Sequence, residues 1–381
     1  MSKASKSFAG TLLAAAVVGS LTAAPVPAQA APGTHLSTAA PVVVAGALHN
    51  PRAVRLQPDG SLLVAEAGSG PAVACTTPGT RCLGFTGSLY RVKGSRQGRV
   101  ATGLPSELGV RPDGTTAVNG VIQAESAQGG TYRVVYGLNG VPAIRAALGP
   151  GGEPLGTLSI AGGRMLGDLT EHEARLDPDS VNGNNEVFSN PNSFARDGRD
   201  FLVTDSAAND LIRVHPDGTT TTEFVFPNNT LPAAPATARP LTPAGQVQAV
   251  PTGIVRGRDG AFYIADMGGM HEGLSRIWRF VPGHAPTVLA TGLTDVSDLA
   301  VNPRDGNLIA LSYGTRTGLP PADPGPGALT RIDIRTGALT PIDTGNRLHL
   351  PAGLAVSACG DIYVTNNALS TSGELLKFPA R

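Results

Sequence analysis

The stretch NPRAVRLQPDGSLLVAEAG, at residues 50–68, decides the fold of this chain. It consists of two apolar runs joined by Asp-Gly, and an Asp-Gly pair between such runs is a strong signal for a β-hairpin. The same pattern returns five times, once with a shortened turn and once in degenerate form, beginning at Asn119, Pro191, Pro251, Val296 and Pro351. Six copies of one pattern predict a repeat architecture.

Two further apolar segments follow most copies of the hairpin. Third segments begin at Gly87, Pro154, Asp210, Gly273, Gly327 and Gly373, and fourth segments begin at Gly98, Arg164, Thr220, Pro286 and Gly337. The last copy lacks a fourth segment, whereas residues 42–46 (VVVAG) precede the first copy and are similar to residues 288–292 (VLATG). We therefore predict an all-β, six-bladed β-propeller with four-stranded antiparallel blades, closed by the N-terminal strand pairing with the last blade.

Composition supports this class and excludes others. Of 381 residues, 49 are Gly and 32 are Pro, and chain breakers at this density exclude an all-helical fold. The hydrophobic share of 41% is sufficient for a core, which excludes wholesale disorder. The 29 basic and 29 acidic side chains balance, so no electrostatic attraction toward nucleic acid or an anionic membrane is expected. We expect residues 42–381 to form a single propeller domain and a monomer.

Residues 1–30 have the pattern of a secretory signal peptide. Two lysines form a positive head, an uncharged apolar run extends to Ala24, and the segment ends in Ala28-Gln29-Ala30. A transmembrane anchor is the alternative, but the apolar run is short and Pro25 ends it. We predict cleavage after Ala30, a flexible segment over residues 31–41, and a mature protein secreted into the extracellular or cell-envelope space.

Three cysteines remain in the mature chain. Cys75 and Cys82 lie in a loop rich in Gly, Pro and Thr (ACTTPGTRCLG), and in an oxidising compartment such a pair predicts a disulfide. A zinc-binding pair is the alternative, although the gap is long for a zinc knuckle and no second pair follows. Cys359, beside a Gly-Asp turn, is expected to be a small buried residue.

Three segments depart from the repeat. The sequence GDLTEHEARL, at residues 167–176, has leucines near helical spacing and predicts a short surface helix. Residues 227–245 are rich in Pro, Ala and Thr and predict a mobile loop. The Asp-Gly pair at residues 113–114 precedes the first strand of the second blade, so it is predicted to lie in a connecting loop.

Several motifs resemble the ScyD/ScyE family of secreted bacterial proteins, which belongs to the NHL-like propellers. They are Asn50-Pro51-Arg52, the PDGSLLVAEAG stretch, the paired cysteines, the segment DLTEHEARLDPD ahead of Asn190-Pro191, and the ending GELLKF. The resemblance extends over residues 42–378, nearly all of the mature chain. It implies a secreted propeller and does not imply a particular reaction.

A propeller brings the starts of its inner strands and the ends of its second strands to one rim of the central channel. The polar candidates at the inner-strand starts are Asn50, Arg52, Asn119, Asn192, Thr252 and Asp298, and those at the second-strand ends are Glu66, Asp205, Asp266 and Asn366. Oxygen donors in a ring suit Ca²⁺ or another divalent cation, with Glu66, Asn192 and Asp298 as candidate ligands. The alternative for the second-strand acids is structural, because they can accept backbone N–H bonds. Arg52 has a structural alternative too, a pairing with Glu66.

Three histidines also fall on the candidate rim. His49 and His349 occupy the same repeat position, just before an inner strand, and His271 lies in a loop between a second and a third strand. Imidazoles gathered there could bind a transition metal or act as a general base. The alternative is that the repeat placed two of them without a function.

Three functional hypotheses follow. The first is a secreted propeller that binds a small molecule or a protein partner at the rim without catalysis, since no G-x-S-x-G, H-E-x-x-H or P-loop motif occurs. The second is a divalent-metal-dependent lactonase or esterase resembling gluconolactonase-like propellers, in which Glu66 would have to act from a second strand. The third is a quinone-dependent sugar dehydrogenase, a class that needs a catalytic histidine and several basic side chains facing the channel.

Overall fold

Hairpins at the repeated Asp-Gly turns build the inner half of several sheets. At the first turn, Gly60 has a φ of 77°, and Asp59 Oδ1 accepts a hydrogen bond from the Ser61 amide at 3.1 Å. Glycine adopts a positive φ readily because it has no Cβ, and the aspartate side chain holds the turn. A computed structural model of the chain describes residues 36–37, 40–71, 75–231, 242–317 and 323–380, all within one compact unit.

The first two sheets are antiparallel and follow chain order. Two strands precede them, β1 (Leu36–Ser37) and β2 (Val42–Leu48). Sheet 1 contains β3 to β7, which are Pro51–Leu56, Leu62–Glu66, Arg81–Lys93, Arg96–Val110 and Thr116–Asn119. Sheet 2 contains β8 to β11, which are Val121–Ser126, Tyr132–Tyr136, Thr157–Ile160 and Met165–Asp168. The Asp-Gly at residues 113–114 turns the chain into the additional strand β7, so the prediction of a connecting loop there is wrong.

The third and fourth sheets are antiparallel and have four strands each. Sheet 3 contains β12 to β15, which are Pro191–Asp197, Asp200–Asp205, Asp210–Val214 and Thr220–Val225. A small two-stranded sheet follows, formed by β16 (Asn229–Thr230) and β17 (Gln246–Val247). Sheet 4 contains β18 to β21, which are Pro251–Arg256, Phe262–Asp266, Ser275–Phe280 and Thr287–Leu293. The predicted mobile loop at residues 227–245 falls largely on residues 232–241, which lie outside the described residues.

The last two sheets each include a strand from the N-terminal side. Sheet 5 contains β22 to β25, which are Val296–Val301, Leu308–Ser312, Ala328–Ile332 and Leu339–Asp343, and β1 pairs parallel to β25. Sheet 6 contains β26 to β28, which are Leu354–Val356, Ile362–Asn366 and Gly373–Phe378. Its fourth strand is β2, which pairs antiparallel with β28 from Val42 opposite Lys377 to Leu48 opposite Gly373.

The six sheets form the blades of a ring, so the predicted all-β propeller with six blades is confirmed. Apolar clusters fill the spaces between neighbouring blades. One of them joins Val54 and Val64 of sheet 1 to Leu375 of β28 and Leu48 of β2. Strand β2 thus pairs within sheet 6 and packs against sheet 1.

The helices lie in the connections between strands. Over the described ranges, the α-helices are α1 (Pro142–Ala147) and α2 (Leu169–Leu176), and short 3-10 turns occupy Gln128–Gly130, Pro178–Asn182 and Gly268–Met270. Asp168 caps α2 by accepting a hydrogen bond from the Glu171 amide at 3.0 Å. Helix α2 confirms the predicted helix, but it does not lie wholly at the surface, because His172 and Glu173 are buried.

The cysteines differ in their environments. Cys75 and Cys82 form a disulfide, as predicted, with their Cα atoms 6.1 Å apart. Cys359 is free and exposed, so the prediction of a buried residue is wrong. Its sulfur lies 3.2 Å from Ser357 Oγ within the turn before Asp361, which holds it at the surface. Among the described residues, we find no helix with the length and apolarity needed to cross a membrane.

Candidate functional site

The inner strands share an irregularity close to the start of each strand. In five sheets the register between first and second strand shifts directly after the first paired residue, which is Pro51, Val121, Pro191, Pro251 or Val296. An extra residue in one strand bends it and re-aims the side chains at that point. The residues at the shift therefore turn toward the centre of the ring.

A cavity of about 620 Å³, which we call the mouth cavity, lies at one mouth of the channel and is lined by residues from all six blades. The residue after the first paired position lines it in five sheets, as Arg52, Ile122, Asn192, Thr252 and Ser297, and Ala352, which lies just before β26, lines it in sheet 6. Apolar groups add to this wall, among them Val118, Val250, Met267 and Leu369. A concave site with an apolar wall and a few polar groups is the usual form of a small-molecule site.

Arg52 is the charged residue among these six lining residues. Its Nη1 donates to the Ala368 carbonyl at 2.8 Å, and its Nη2 donates to the Val118 carbonyl at 2.8 Å. Burial lowers the pKa of Arg52 from its usual value, and among the described residues no carboxylate pairs with it. The predicted pairing with Glu66 is wrong, because Glu66 Oε1 pairs with Arg99 Nη2 at 2.7 Å. Within the described part of the chain, Arg52 therefore carries a positive charge whose hydrogen-bond partners are carbonyl oxygens.

Four hydrogen-bonded polar residues lie beside the mouth cavity, and we call them the channel plug: Arg55, Gln123, Ser193 and Asp298. Three of them, Arg55, Ser193 and Asp298, line this cavity. Arg55 donates two hydrogen bonds to Asp298, from Nη1 to Oδ2 at 2.7 Å and from Nη2 to Oδ1 at 3.0 Å. It also donates to Gln123 Oε1 at 3.0 Å and to Ser193 Oγ at 3.3 Å. The amides of Leu299 and Leu354 complete the hydrogen bonds to Asp298. This carboxylate is therefore neutralised within the protein.

The channel plug has cavities on both sides, since Arg55 lines both of them. The second cavity has a volume of about 1280 Å³, and its wall includes Arg133, Arg196, Arg199 and Arg256. Arg196 lies over the ring of Phe201 at 5.0 Å. The sequence analysis considered candidates at one rim of the channel, so it did not find this second cavity.

The second-strand acids hold turns and do not reach the mouth cavity. Glu66 accepts from the His49 amide at 2.7 Å, and Asn366 accepts from the His349 amide at the same distance. Asp205 accepts from the Asn190 amide at 2.6 Å, and burial raises the pKa of this carboxyl to about 6.

Asp266 accepts from the Gly268 amide at 2.8 Å and from Arg276 Nε at 2.7 Å. Burial raises its pKa to about 6, although the Arg276 guanidinium opposes this rise. These contacts match the structural alternative for all four second-strand residues.

The three candidate metal ligands do not meet. Asn192 lines the mouth cavity, Asp298 is bound to Arg55, and Glu66 is fully buried against Ser88 and Arg99. A cation at this mouth would have to compete with two guanidinium groups for the carboxylates. Asn119 lies in the mouth cavity, but its Nδ2 donates to Glu107 Oε2 at 2.6 Å.

None of the three candidate histidines lines the mouth cavity. His49 and His349 contribute their amides to the turn contacts described above, and the His271 amide donates to the Gly268 carbonyl at 3.3 Å. Among the described residues, none of these three imidazoles forms a hydrogen bond or an ion pair. The geometry therefore offers the mouth cavity no imidazole base.

Sequence reasoning missed Arg55, Gln123, Ser193 and Tyr313. Gln123 and Ser193 could have been found by aligning the six inner strands on their paired residue. In that alignment Asp298 occupies the same position as Gln123, Ser193 and two glycines. This position is one residue further along the strand than that of Arg52 and Asn192. Gly253 is one of these glycines, and a Cβ there would lie 2.6 Å from Asp298 Oδ1. An acid at a position where the other inner strands have small or neutral residues indicates that its partner comes from a different position in the propeller.

No protein-family model and no curated protein matches the chain. Solved structures do match it. A catalytically inactive virginiamycin B lyase from Staphylococcus aureus with quinupristin has 11% identity and a TM-score of 0.47, over 89% of this chain and 98% of that one. A soluble aldose sugar dehydrogenase from Escherichia coli has 14% identity and a TM-score of 0.44, over 90% and 99%. A protein described as a putative gluconolactonase has 10% identity and a TM-score of 0.44, over 90% and 93%. The likeness to these β-propellers is one of overall fold.

Proposed function

We propose that the chain binds a small molecule with an anionic group and an apolar body in the mouth cavity. The observation that carries this proposal is Arg52, a guanidinium in the cavity wall whose hydrogen bonds go to carbonyl oxygens. Anions are held well by such a group, because charge-assisted hydrogen bonds are about twice as strong as neutral ones. Val118, Val250 and Met267 would contact the apolar body.

The charges around the cavity support an anionic ligand. Arg52, Arg55 and Arg111 line it together with two acids, Asp298 and Glu186. Asp298 is neutralised by Arg55, and burial raises the pKa of Glu186, which favours its uncharged form. The excess of charge at this mouth is therefore positive.

Tyr313 adds a hydrogen-bonding group beside Arg52. Burial raises the pKa of Tyr313 to about 12 although the Arg52 charge opposes this rise, so the phenol is neutral at physiological pH. A neutral phenol can donate to an anion that Arg52 already holds. We favour binding without catalysis, because Asp298 is paired with Arg55 and because the second-strand acids and the candidate histidines do not line the cavity.

The test uses two dyes of similar shape. The first is 1-anilinonaphthalene-8-sulfonate, which is anionic, and the second is N-phenyl-1-naphthylamine, which lacks the sulfonate. The variant Arg52→Gln should weaken the anionic dye by about 10-fold or more, the equivalent of one charge-assisted hydrogen bond, and the neutral dye by less than about 2-fold. Fluorescence titration of both dyes measures the two affinities.

Two further variants locate the dye. Asn192→Trp should fill the cavity and abolish binding of both dyes, whereas Arg196→Gln removes an arginine from the second mouth and should change neither. Equal affinity of the anionic dye for the native protein and for Arg52→Gln would contradict the proposal.

We also propose that the chain is an exported protein of the ScyD/ScyE type, with residues 42–381 as one propeller domain. The support is the signal-peptide pattern at residues 1–30, which lies outside the described residues, together with the Cys75–Cys82 disulfide. The N-terminal sequence of protein recovered from the medium of its host tests the predicted cleavage after Ala30. A start at Ala31 is expected, and retention of the leader in a cytoplasmic protein would overturn it.

A further inference from the structure

The connection between sheets 2 and 3 contains a group of carboxylates without a counter-charge. Glu173 lies on α2, Asp177 ends that helix with a φ of 42°, and Asp179 lies in the following 3-10 turn. One carboxylate oxygen of each residue can be chosen so that all three oxygens lie within 4.8 Å of one another. Both oxygens of Glu173 and one oxygen each of Asp177 and Asp179 are buried and, within the described part of the chain, lack a hydrogen-bond partner.

An independent observation comes from a different element. Asp210, the first residue of β14, is fully buried, and neither of its carboxylate oxygens has a hydrogen-bond partner among the described residues. The residue before it, Asn209, donates from Nδ2 to Asp179 Oδ2 at 2.8 Å, so the start of β14 lies against the turn that contains Asp179. We call Glu173, Asp177, Asp179 and Asp210 the acidic cluster.

Nothing described in the chain balances these charges. The charged groups that act on Glu173 are Asp205, Asp179 and Asp177, all of them acids. Asp179 has only amide partners, since its Oδ2 accepts from Asn184 at 2.7 Å and from Asn209 at 2.8 Å. Burying several carboxylates costs several kcal/mol unless a cation pairs with them. Both amides bind Oδ2 of Asp179, which leaves Oδ1 without a hydrogen-bond partner among the described residues. In metal sites, the residues around the ligands orient them through hydrogen bonds of this kind.

The donor atoms specify the kind of cation. All donors in the acidic cluster are oxygens, which calcium and magnesium prefer. The nearest imidazole, His172, has both ring nitrogens within 3 Å of the hydroxyls of Thr220 and Thr222, at 2.9 and 2.8 Å, so it offers no nitrogen ligand. A group of several carboxylates suits calcium, which takes six to eight oxygen ligands in flexible geometry, whereas magnesium keeps several waters and usually takes only one or two carboxylates.

We propose that the acidic cluster binds one structural calcium ion, which ties helix α2 and the following turn to the start of β14. This site is distinct from the mouth cavity and does not depend on the function proposed for it. Its expected consequence is a protein whose stability rises with calcium, because an ion that binds only the folded state shifts the folding equilibrium toward that state.

The test is a calcium titration of protein first dialysed against a chelator and then freed of it. Isothermal titration should give one calcium per chain, and saturating calcium should raise the melting temperature by about 4 °C or more, with a smaller effect of magnesium. The double variant Glu173→Gln, Asp210→Asn should lose both responses. Asp177→Asn, at a half-buried position, should fold normally and bind calcium about 10-fold more weakly or worse.

Asp295→Asn is the matched control, because Asp295 is also a fully buried carboxylate without a hydrogen-bond partner among the described residues, and it is not part of the acidic cluster. It should keep the full calcium response. The proposal is overturned if calcium neither binds nor stabilises the native protein, since the cluster is then neutralised by protons. It is also overturned if Glu173→Gln, Asp210→Asn and Asp177→Asn all respond to calcium as the native protein does.

Discussion

The channel plug and the acidic cluster both bury carboxylates, but only the plug contains their counter-charge. Asp298 has four hydrogen bonds, two of them from Arg55. Asp210 and Glu173 have none among the described residues. Both arrangements avoid the cost of an isolated buried charge, the first through a guanidinium and the second, on our proposal, through a calcium ion. A buried acid thus indicates a metal only after its partners are known.

The largest expected effect comes from breaking the channel plug. Asp298→Ala leaves Arg55 with an unpaired charge and removes an acceptor from two backbone amides, so it should destabilise the protein by about 3–5 kcal/mol. Urea unfolding of the native protein and the variant measures the difference. Asp210→Ala, at an equally buried carboxylate, is the comparison and should cost much less in calcium-free buffer. A loss below about 1 kcal/mol for Asp298→Ala would show that Arg55 does not depend on this partner.

A smaller effect of opposite sign is expected in the acidic cluster. Without calcium, Asp210→Asn removes a buried charge that has no partner, so it should stabilise the protein by about 1–3 kcal/mol. With saturating calcium the same variant should be less stable than the native protein, because it has lost a ligand. Urea unfolding with and without calcium tests this change of sign. A variant that is less stable under both conditions would contradict the account.

The smallest effect concerns Asp295, which has neither an arginine nor a neighbouring group of acids. Burial raises the pKa of Asp295 to about 7. Between pH 4 and pH 7 the folded state holds a proton that the unfolded state has released, so this residue makes stability fall as the pH rises through that window. Asp295→Asn should remove this dependence and stabilise the protein at pH 8 by about 1–2 kcal/mol, with no gain at pH 4. Equal gains at both pH values would contradict the pKa.

Much of the fold could be predicted from sequence because the Asp-Gly turns and the alternating strands are local signals. The hairpin at residues 50–68, the six blades and the disulfide follow from such signals. The extra strand β7 was missed because the Asp-Gly at residues 113–114 builds an outer hairpin instead of an inner one. Cys359 was misplaced because a turn exposes a side chain that composition alone suggests is buried.

The site could be predicted only in part, because its chemistry depends on long-range pairs. Arg52 and Asn192 were found, since a polar residue at an inner-strand start faces the mouth cavity. The partner of Asp298 was missed, because Arg55 lies 243 residues away and reaches it across the channel. The segment DLTEHEARLDPD was noted for its helix, but the sequence does not show that three of its carboxylates turn toward one another or that Asp210 of the next sheet is buried without a partner among the described residues.

The most direct test of this contrast is a crystal structure of the protein grown with calcium, followed by a soak in terbium and measurement of its anomalous scattering. We predict one strong peak within bonding distance of Glu173, Asp177, Asp179 and Asp210, and no peak beside Asp298 or Asn192. A peak in the mouth cavity, or ordered cluster carboxylates with no peak among them, would contradict the assignment of arginine to one set of acids and calcium to the other.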